Sequence, residues 1–127
     1  GDDTLVGGDG GDLMYGGSGD DTLWGGGGND YFSDADGDDT FIGGAGDDTF
    51  RFSGFNGHKT ITDFVAGANS PDVVEFDFSL FPFGFFEILD ASAQVGNDVV
   101  ITLPGGESLT LENVLFGSLH EDDFVII

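Results

Sequence analysis

A nine-residue phrase recurs without interruption from Gly1 to Arg51, and it leaves few folds open. After a shortened first line, Gly1 to Val6, come Gly7 to Tyr15, Gly16 to Trp24, Gly25 to Ser33, Asp34 to Ile42 and Gly43 to Arg51. The template is G-G-x-G-x-D-x-U-x, with U a large apolar residue. A short fixed period of this kind specifies a stacked, repetitive architecture. U is Leu5, Met14, Leu23, Phe32, Phe41 and Phe50. One apolar residue in nine is too sparse for a helix but suits a very short strand, x-U-x, with U pointing inward. The residues between strands are glycine-rich and acidic, which predicts turns. Glycine at positions 1, 2 and 4 permits the positive φ of a tight turn. Strand and turn alternate, so one coil takes two repeats, or 18 residues, and two sheets stack back to back. One interior ladder is then Leu5, Leu23, Phe41, and the facing one is Met14, Phe32, Phe50.

These apolar side chains are few against the entropy of ordering so much glycine-rich chain. Charge opposes folding further. The 127 residues carry 25 acidic and 2 basic side chains, a net charge of −23, and self-repulsion at that level disfavours a compact state. It also excludes nucleic acid as a partner, since phosphates call for Lys and Arg. Yet 39% hydrophobic residues, with 14 Phe, are too many for a permanently disordered acidic tail. Both facts fit a chain whose carboxylates are neutralised by cations and which folds when they bind. The absence of cysteine excludes disulfides and thiolate metal sites. No apolar run approaches a membrane span, so no membrane insertion is expected. The chain begins without Met and inside a repeat, which suggests a fragment of a larger protein.

Position 6 of the template is Asp in all six lines: Asp3, Asp12, Asp21, Asp30, Asp39 and Asp48. Stacking turns two repeats apart brings two such carboxylates together beside a row of backbone carbonyls. Hard oxygen donors in a glycine-rich loop describe a calcium site; magnesium prefers rigid octahedral geometry with retained waters, and zinc prefers His or Cys. Here the sequence closely resembles the RTX (repeats in toxin) proteins, bacterial exoproteins whose nonapeptides form a calcium-bound parallel β-roll. The resemblance implies ions held between stacked turns, by the carbonyls of positions 2 and 4 and the Asp of one turn, and the carbonyls of positions 1 and 3 and the Asp of the next. One ion would join Gly8, Gly10 and Asp12 to Gly25, Gly27 and Asp30. A second would join Gly17, Gly19 and Asp21 to Asp34, Asp36 and Asp39. A third would join Gly26, Gly28 and Asp30 to Gly43, Ala45 and Asp48. A fourth, from Asp3 to Gly16, Ser18 and Asp21, is incomplete. The fifth line departs from the pattern with Asp34-Ala35-Asp36, though carbonyl ligands do not depend on the side chain. The acidic residues at position 5 (Asp2, Asp20, Asp38, Asp47) read as solvated turn residues. On one outer face Thr4, Thr22 and Thr40 lie beside Val6, Trp24 and Ile42. Such a face could bind sugar, ice or a partner domain. The plainer expectation is β-propensity on an exposed strand, or a face covered by another part of the protein.

After Arg51 the phrase decays. Gly54 to Thr62 still scans as a repeat, but Lys59 stands at position 6. An ammonium cannot coordinate calcium; it can take the ion's place and end the row, which is the cap a solenoid needs. Further strands are expected at Thr60 to Phe64, Val73 to Phe78 and Phe124 to Ile127, with a turn at Gly67, Asn69 and Pro71. Asp98 to Leu103 and Ser108 to Leu111 flank Pro104-Gly105-Gly106 as a hairpin. A short helix is expected within Phe85 to Ala93. This half looks like the C-terminal domain of secreted serralysin-type metalloproteases, lipases and alginate epimerases. The matching pieces are Ile61-Thr62-Asp63-Phe64, Asp72-Val73-Val74-Glu75-Phe76, Gly96-Asn97-Asp98-Val99-Val100-Ile101 and the ending Asp122-Asp123-Phe124-Val125-Ile126-Ile127. The resemblance implies a further calcium at Asp63 and Asp72. It also makes the ending an uncleaved signal for a type I (ABC transporter) secretion apparatus.

No H-E-x-x-H, no G-x-S-x-G and no cysteine are present, so no catalytic residue is expected. His58 reads as a turn residue and His120 as a surface one. The fold expected is all-β: a calcium-bound parallel β-roll (β-solenoid) over residues 1–62, continued by a β-sandwich-like cap and secretion domain over 63–127. The function expected is calcium-driven folding, with about three to five ions, of a module exported to the extracellular space of a Gram-negative bacterium. Its parent N-terminal catalytic domain would be a protease, lipase or polysaccharide-modifying enzyme. The alternatives are a carbohydrate-binding accessory module, as the alginate epimerases resemble, or an adhesin repeat segment.

Overall fold

Each repeat folds as a short strand and a turn, and successive strands alternate between two sheets. The computed structural model describes residues 1–33, 36–53, 56–68 and 71–127. In chain order the strands are β1 (Thr4–Asp9), β2 (Leu13–Tyr15), β3 (Thr22–Gly27), β4 (Tyr31–Ser33), β5 (Asp39–Ala45), β6 (Thr49–Phe52), β7 (Lys59–Ile61) and β8 (Val73–Phe76). A short helix α1 (Phe85–Asp90) follows, then β9 (Ser92–Val95), β10 (Asp98–Thr102), β11 (Ser108–Leu111) and β12 (Phe124–Ile126). One sheet has the order β1-β3-β5-β7-β11-β10-β9 and the other β2-β4-β6-β8-β12. All pairings are parallel except those of β10 with β9 and β11. This is the all-β parallel roll that the period predicts.

Register follows the repeat, residue on equivalent residue. The first ladder runs Leu5, Leu23, Phe41 and continues through Ile61 to Leu111. The second runs Met14, Phe32, Phe50 and continues through Val74 to Phe124. Both sheets therefore cross residue 62 unbroken, and the C-terminal strands β11 and β12 add further layers to the same roll. Phe32 stacks on Phe50 with centroids 4.9 Å apart, and Phe41 meets both edge-on. Phe52 and Phe76 are also buried and pack 6.2 Å apart, so the core exceeds the six template positions.

The two sheets are unequal. The strands β2 and β4 are three residues long, as x-U-x requires, but β1, β3 and β5 run on through the glycines that follow. Gly8 pairs with Gly26 and Gly26 with Gly44 in the same ladder. Half of each of these turns is thus strand. Thr62 to Phe64 leaves the strand expected there, because Asp63 turns back onto the preceding layer (below). Val73 to Phe78 ends as strand at Phe76, and α1 is shorter than the stretch expected for it.

Candidate metal centre

The turns form two rows, one along each side of the roll. The first holds Asp12, Asp30 and Asp48; the second holds Asp3, Asp21 and Asp39. Within each row the position-6 carboxylates form a hydrogen-bonded ladder. The amide N–H of Asp12 donates to Asp30 Oδ1 (2.8 Å), and that of Asp30 donates to Asp48 Oδ1 (3.0 Å). In the other row Asp3 donates to Asp21 Oδ1 (2.7 Å) and Asp21 to Asp39 Oδ1 (2.9 Å). One oxygen of Asp21, Asp30, Asp39 and Asp48 is fixed by the layer before it. Other oxygens are left over: Asp12 Oδ2, Asp21 Oδ2 and Asp30 Oδ2 are buried without any hydrogen-bond partner. A buried, unpaired carboxylate oxygen is strongly unfavourable unless a cation meets it.

Backbone oxygens converge on these orphans. A Cβ on Gly7 would overlap Asp12 Oδ2 and lie 2.7 Å from the carbonyl oxygen of Gly25. A Cβ on Gly25 would overlap Asp30 Oδ2 and lie 2.7 Å from that of Gly43. Glycine at position 1 is therefore needed for space. Gly7, Gly16, Gly25 and Gly43 do not have positive φ, whereas Gly8, Gly10, Gly17, Gly19, Gly26 and Gly28 at positions 2 and 4 do. The sequence expectation of positive φ at position 1 is corrected on this point. Uncharged carbonyls beside a carboxylate oxygen are the hard donors that suit calcium. The residues fit that ion.

The structure places the other expected ligands in the same turns. Gly27, Asp36 and Ala45 each use their carbonyl to accept an N–H from the preceding layer, from Gly10 (2.6 Å), Gly19 (3.0 Å) and Gly28 (2.8 Å). The Gly17 carbonyl accepts from Asp36 (3.1 Å), and that of Ser18 from the amino terminus of Gly1 (2.8 Å). A carbonyl oxygen retains a second lone pair for a metal. Asp3 is exposed, in keeping with an incomplete fourth site. Asp34 lies outside the described residues, as do Ala35, Gly54, Phe55 and Asn69. Among the described residues no three His, Asp or Glu side chains converge on one point, so carbonyls must supply most donors.

The rows end differently. In the second, Lys59 stacks on Asp39 and its buried Nζ donates to Asp39 Oδ2 (2.7 Å) and to the Gly37 carbonyl (2.7 Å). In the first, Asp63 receives the N–H groups of Gly43 (2.9 Å) and Gly44 (2.8 Å), one on each oxygen. Asp72 receives those of Asp48 (3.2 Å) and Val65 (2.8 Å). Both oxygens of Asp63 and of Asp72 thus close the last turn of the row.

Residues 1–32 and 28–57 match the RTX calcium-binding nonapeptide repeat family, in its four-copy form. Residues 1–57 are an RTX repeat array. Among solved structures, the chain is similar to the AlgE6R3 subunit of the mannuronan C5-epimerase of Azotobacter vinelandii, with a TM-score of 0.72 and 28% identity over 98% of this chain and 77% of that one. It is also similar to the extracellular lipase LipA of Serratia marcescens, with a TM-score of 0.64 and 26% identity over 98% of this chain. The chain spans 21% of the length of that lipase. No curated protein sequence matches it at a significant level.

The RTX turns hold a second ladder that the sequence reading missed. Asp2 Oδ1 accepts the N–H of Asp20 (3.0 Å), Asp20 Oδ1 that of Asp38 (2.9 Å), and Asp38 Oδ1 that of His58 (2.8 Å). On the other side Asn29 Oδ1 does the same for Asp47 (3.0 Å). Asn serves as well as Asp, so position 5 needs an acceptor and no charge. Both histidines are similarly committed to local structure. The His58 ring meets Ser108 Oγ (2.9 Å), and His120 Nδ1 accepts the N–H of Asp122 (3.2 Å).

Carboxylate crowding peaks where the first row ends. Burial raises the pKa of Asp48, and the charges of Asp30, Asp63 and Asp47 add to the rise. Burial likewise pushes Asp72 up to about 6, with Asp48 and Asp63 contributing. A folded pKa above the unfolded value means that folding takes up protons. That contribution is complete below about pH 4 and is lost as pH rises through about 6. In EDTA the protein should therefore show more residual β signal by circular dichroism at about pH 5 than at about pH 7.5. An equal or smaller signal at the lower pH would contradict this assignment.

Proposed function

We propose that this chain is a calcium-driven folding module of a larger secreted protein. The observation that carries the reading is the set of buried, unpartnered Oδ2 atoms of Asp12, Asp21 and Asp30. Each belongs to an aspartate that the assignment drawn from the sequence makes a calcium ligand. With calcium bound, each ion would bridge two layers by linking a carboxylate to carbonyls of the next turn. The chain's own residues do the rest: the Oδ1 ladder sets the spacing, and the position-1 glycines keep the gap open.

At low cytosolic calcium the array stays unfolded and can thread a transporter. Outside, ions bind at ~10⁻⁴–10⁻³ M and the roll forms. Residues 63–127 cap the roll and carry the export signal at Asp122 to Ile127. In the folded chain Asp123 is buried, its Oδ1 accepting the Gly67 N–H (2.8 Å), and β12 is built into the second sheet. The type I apparatus would therefore read this ending in the unfolded, calcium-free chain. The likeness to an extracellular lipase and to an epimerase subunit supports a parent enzyme whose catalytic domain lies elsewhere. No helix among the described residues is long and apolar enough to cross a membrane.

Calcium titration followed by far-ultraviolet circular dichroism tests the reading. A mostly coil-like spectrum in EDTA should convert to a β spectrum at roughly millimolar calcium. A β spectrum that EDTA leaves untouched would sink it. Trp24, 50% exposed beside Val6 on the outer face of β3, favours a glycan-binding accessory role as the second reading. Quenching of its fluorescence by alginate or neutral glycans in calcium is the measurement that separates the two.

A further inference from the structure

We propose that Lys59 is the resident cation of the last site in the second row, a calcium equivalent supplied by the chain itself. This rests on the calcium reading above. Register puts Lys59 directly over Asp39, where the next RTX layer would present its position-6 Asp. Its Nζ binds two oxygens of the Asp39 turn, Asp39 Oδ2 and the position-4 carbonyl of Gly37, each at 2.7 Å. These are the oxygen types that an ion would take from that turn.

The same molecule holds the comparison. The equivalent Oδ2 atoms of Asp12, Asp21 and Asp30 are buried with no partner, whereas that of Asp39 is met by a cation 0% exposed. Charge balances in the same way. A further calcium layer would bring one carboxylate and one divalent ion, a net gain of one positive charge. Lys59 brings that single positive charge directly. The substitution therefore removes one ion from the row without disturbing its electrostatics, and it tethers the replacement so that no binding step is needed. The Asp39 turn and the β5–β7 pairing are accordingly the part of the second row that forms without calcium, and ions order the remaining layers outward from there.

Three full-length proteins test this: wild type, Lys59→Asp and Lys59→Met. Bound calcium would be counted by equilibrium dialysis at saturating ion, and amide exchange over residues 39–61 followed in EDTA. Lys59→Asp should bind one more ion per chain than wild type. Lys59→Met should keep the wild-type count but lose protection in EDTA, on the order of tenfold or more. If Lys59→Asp does not fold, Lys59→Met decides by its protection. An unchanged ion count in folded Lys59→Asp, or unchanged protection in Lys59→Met, overturns the proposal. A wild type that binds no calcium overturns the functional reading itself, and this inference with it.

Discussion

Asp30→Asn should have opposite effects on stability with and without calcium. Asp30 stands between two assigned ions, one shared with Asp12 and one with Asp48. Asparagine keeps the Oδ1 that accepts the Asp12 N–H, so the ladder survives. What is lost is the orphan Oδ2 and its charge. At ion levels a hundredfold above Kd, each site contributes roughly 2.7 kcal/mol to the folded state. Losing both removes roughly 5 kcal/mol, a large part of the ~5–15 kcal/mol that holds an ordinary domain together. In calcium the variant should melt far below wild type and bind two fewer ions. In EDTA it should be more ordered than wild type, because a buried unpaired charge has been removed and the new amide group can donate to a neighbouring carbonyl. If the ladder alone mattered, the variant would match wild type in both conditions. Equal ion counts for the two proteins would refute the shared role of Asp30.

Much of this was legible in the sequence because the repeat acts as its own coordinate system. A period of nine, taken two at a time, predicts that Leu23 lies on Leu5 and Phe32 on Met14, and the register obeys. It also pairs the position-6 aspartates and flags Lys59 as the break. What the period cannot convey is how far a strand runs into its own turn. Gly8 and Gly26 were read as turn residues, yet they pair in the sheet, because glycine carries no side-chain signal of strand. The role of Asp63 was likewise hidden. That an Asp receives two backbone N–H groups leaves no mark in the sequence.

The C-terminal half lacks a period and was read from alternation, turn residues and resemblance. The hairpin of β10 and β11 showed through alternation and Pro-Gly-Gly. Strand β9 did not, because Ser92–Val95 is an edge strand with little buried on either face. The signal available was Gly96-Asn97, a two-residue hairpin turn between Val95 and Asp98. The acidic ending was read as an export signal running into a last strand; in the fold the Asp123 carboxylate also receives the His120 N–H (2.7 Å).

Gly25→Ala should damage the array more than Gly8→Ala, although backbone rules alone predict the reverse. Gly8 has φ +114, a conformation that a side chain strains at about 1–3 kcal/mol, but a Cβ there meets nothing within 4 Å. Gly25 has no positive φ, so alanine suits its backbone. Its Cβ, however, would occupy the gap between Asp30 Oδ2 and the Gly43 carbonyl. The carboxylate and the next turn cannot both yield, since Asp30 is held by the N–H of Asp12 and in turn donates to Asp48. Alanine should therefore spread the layers and displace ligands of both ions that Asp30 serves. Gly25→Ala should raise the calcium midpoint by tenfold or more, about 1.4 kcal/mol per decade, and lower the bound-ion count. Gly8→Ala should shift the midpoint modestly and keep the full count. Unlike Asp30→Asn, Gly25→Ala should also weaken whatever structure persists in EDTA, because steric overlap does not depend on the ion. A wild-type count and midpoint for Gly25→Ala would mean that the position-1 glycines are not the spacers of the metal row. The clash would then have to be relieved by movements that leave every ligand in place.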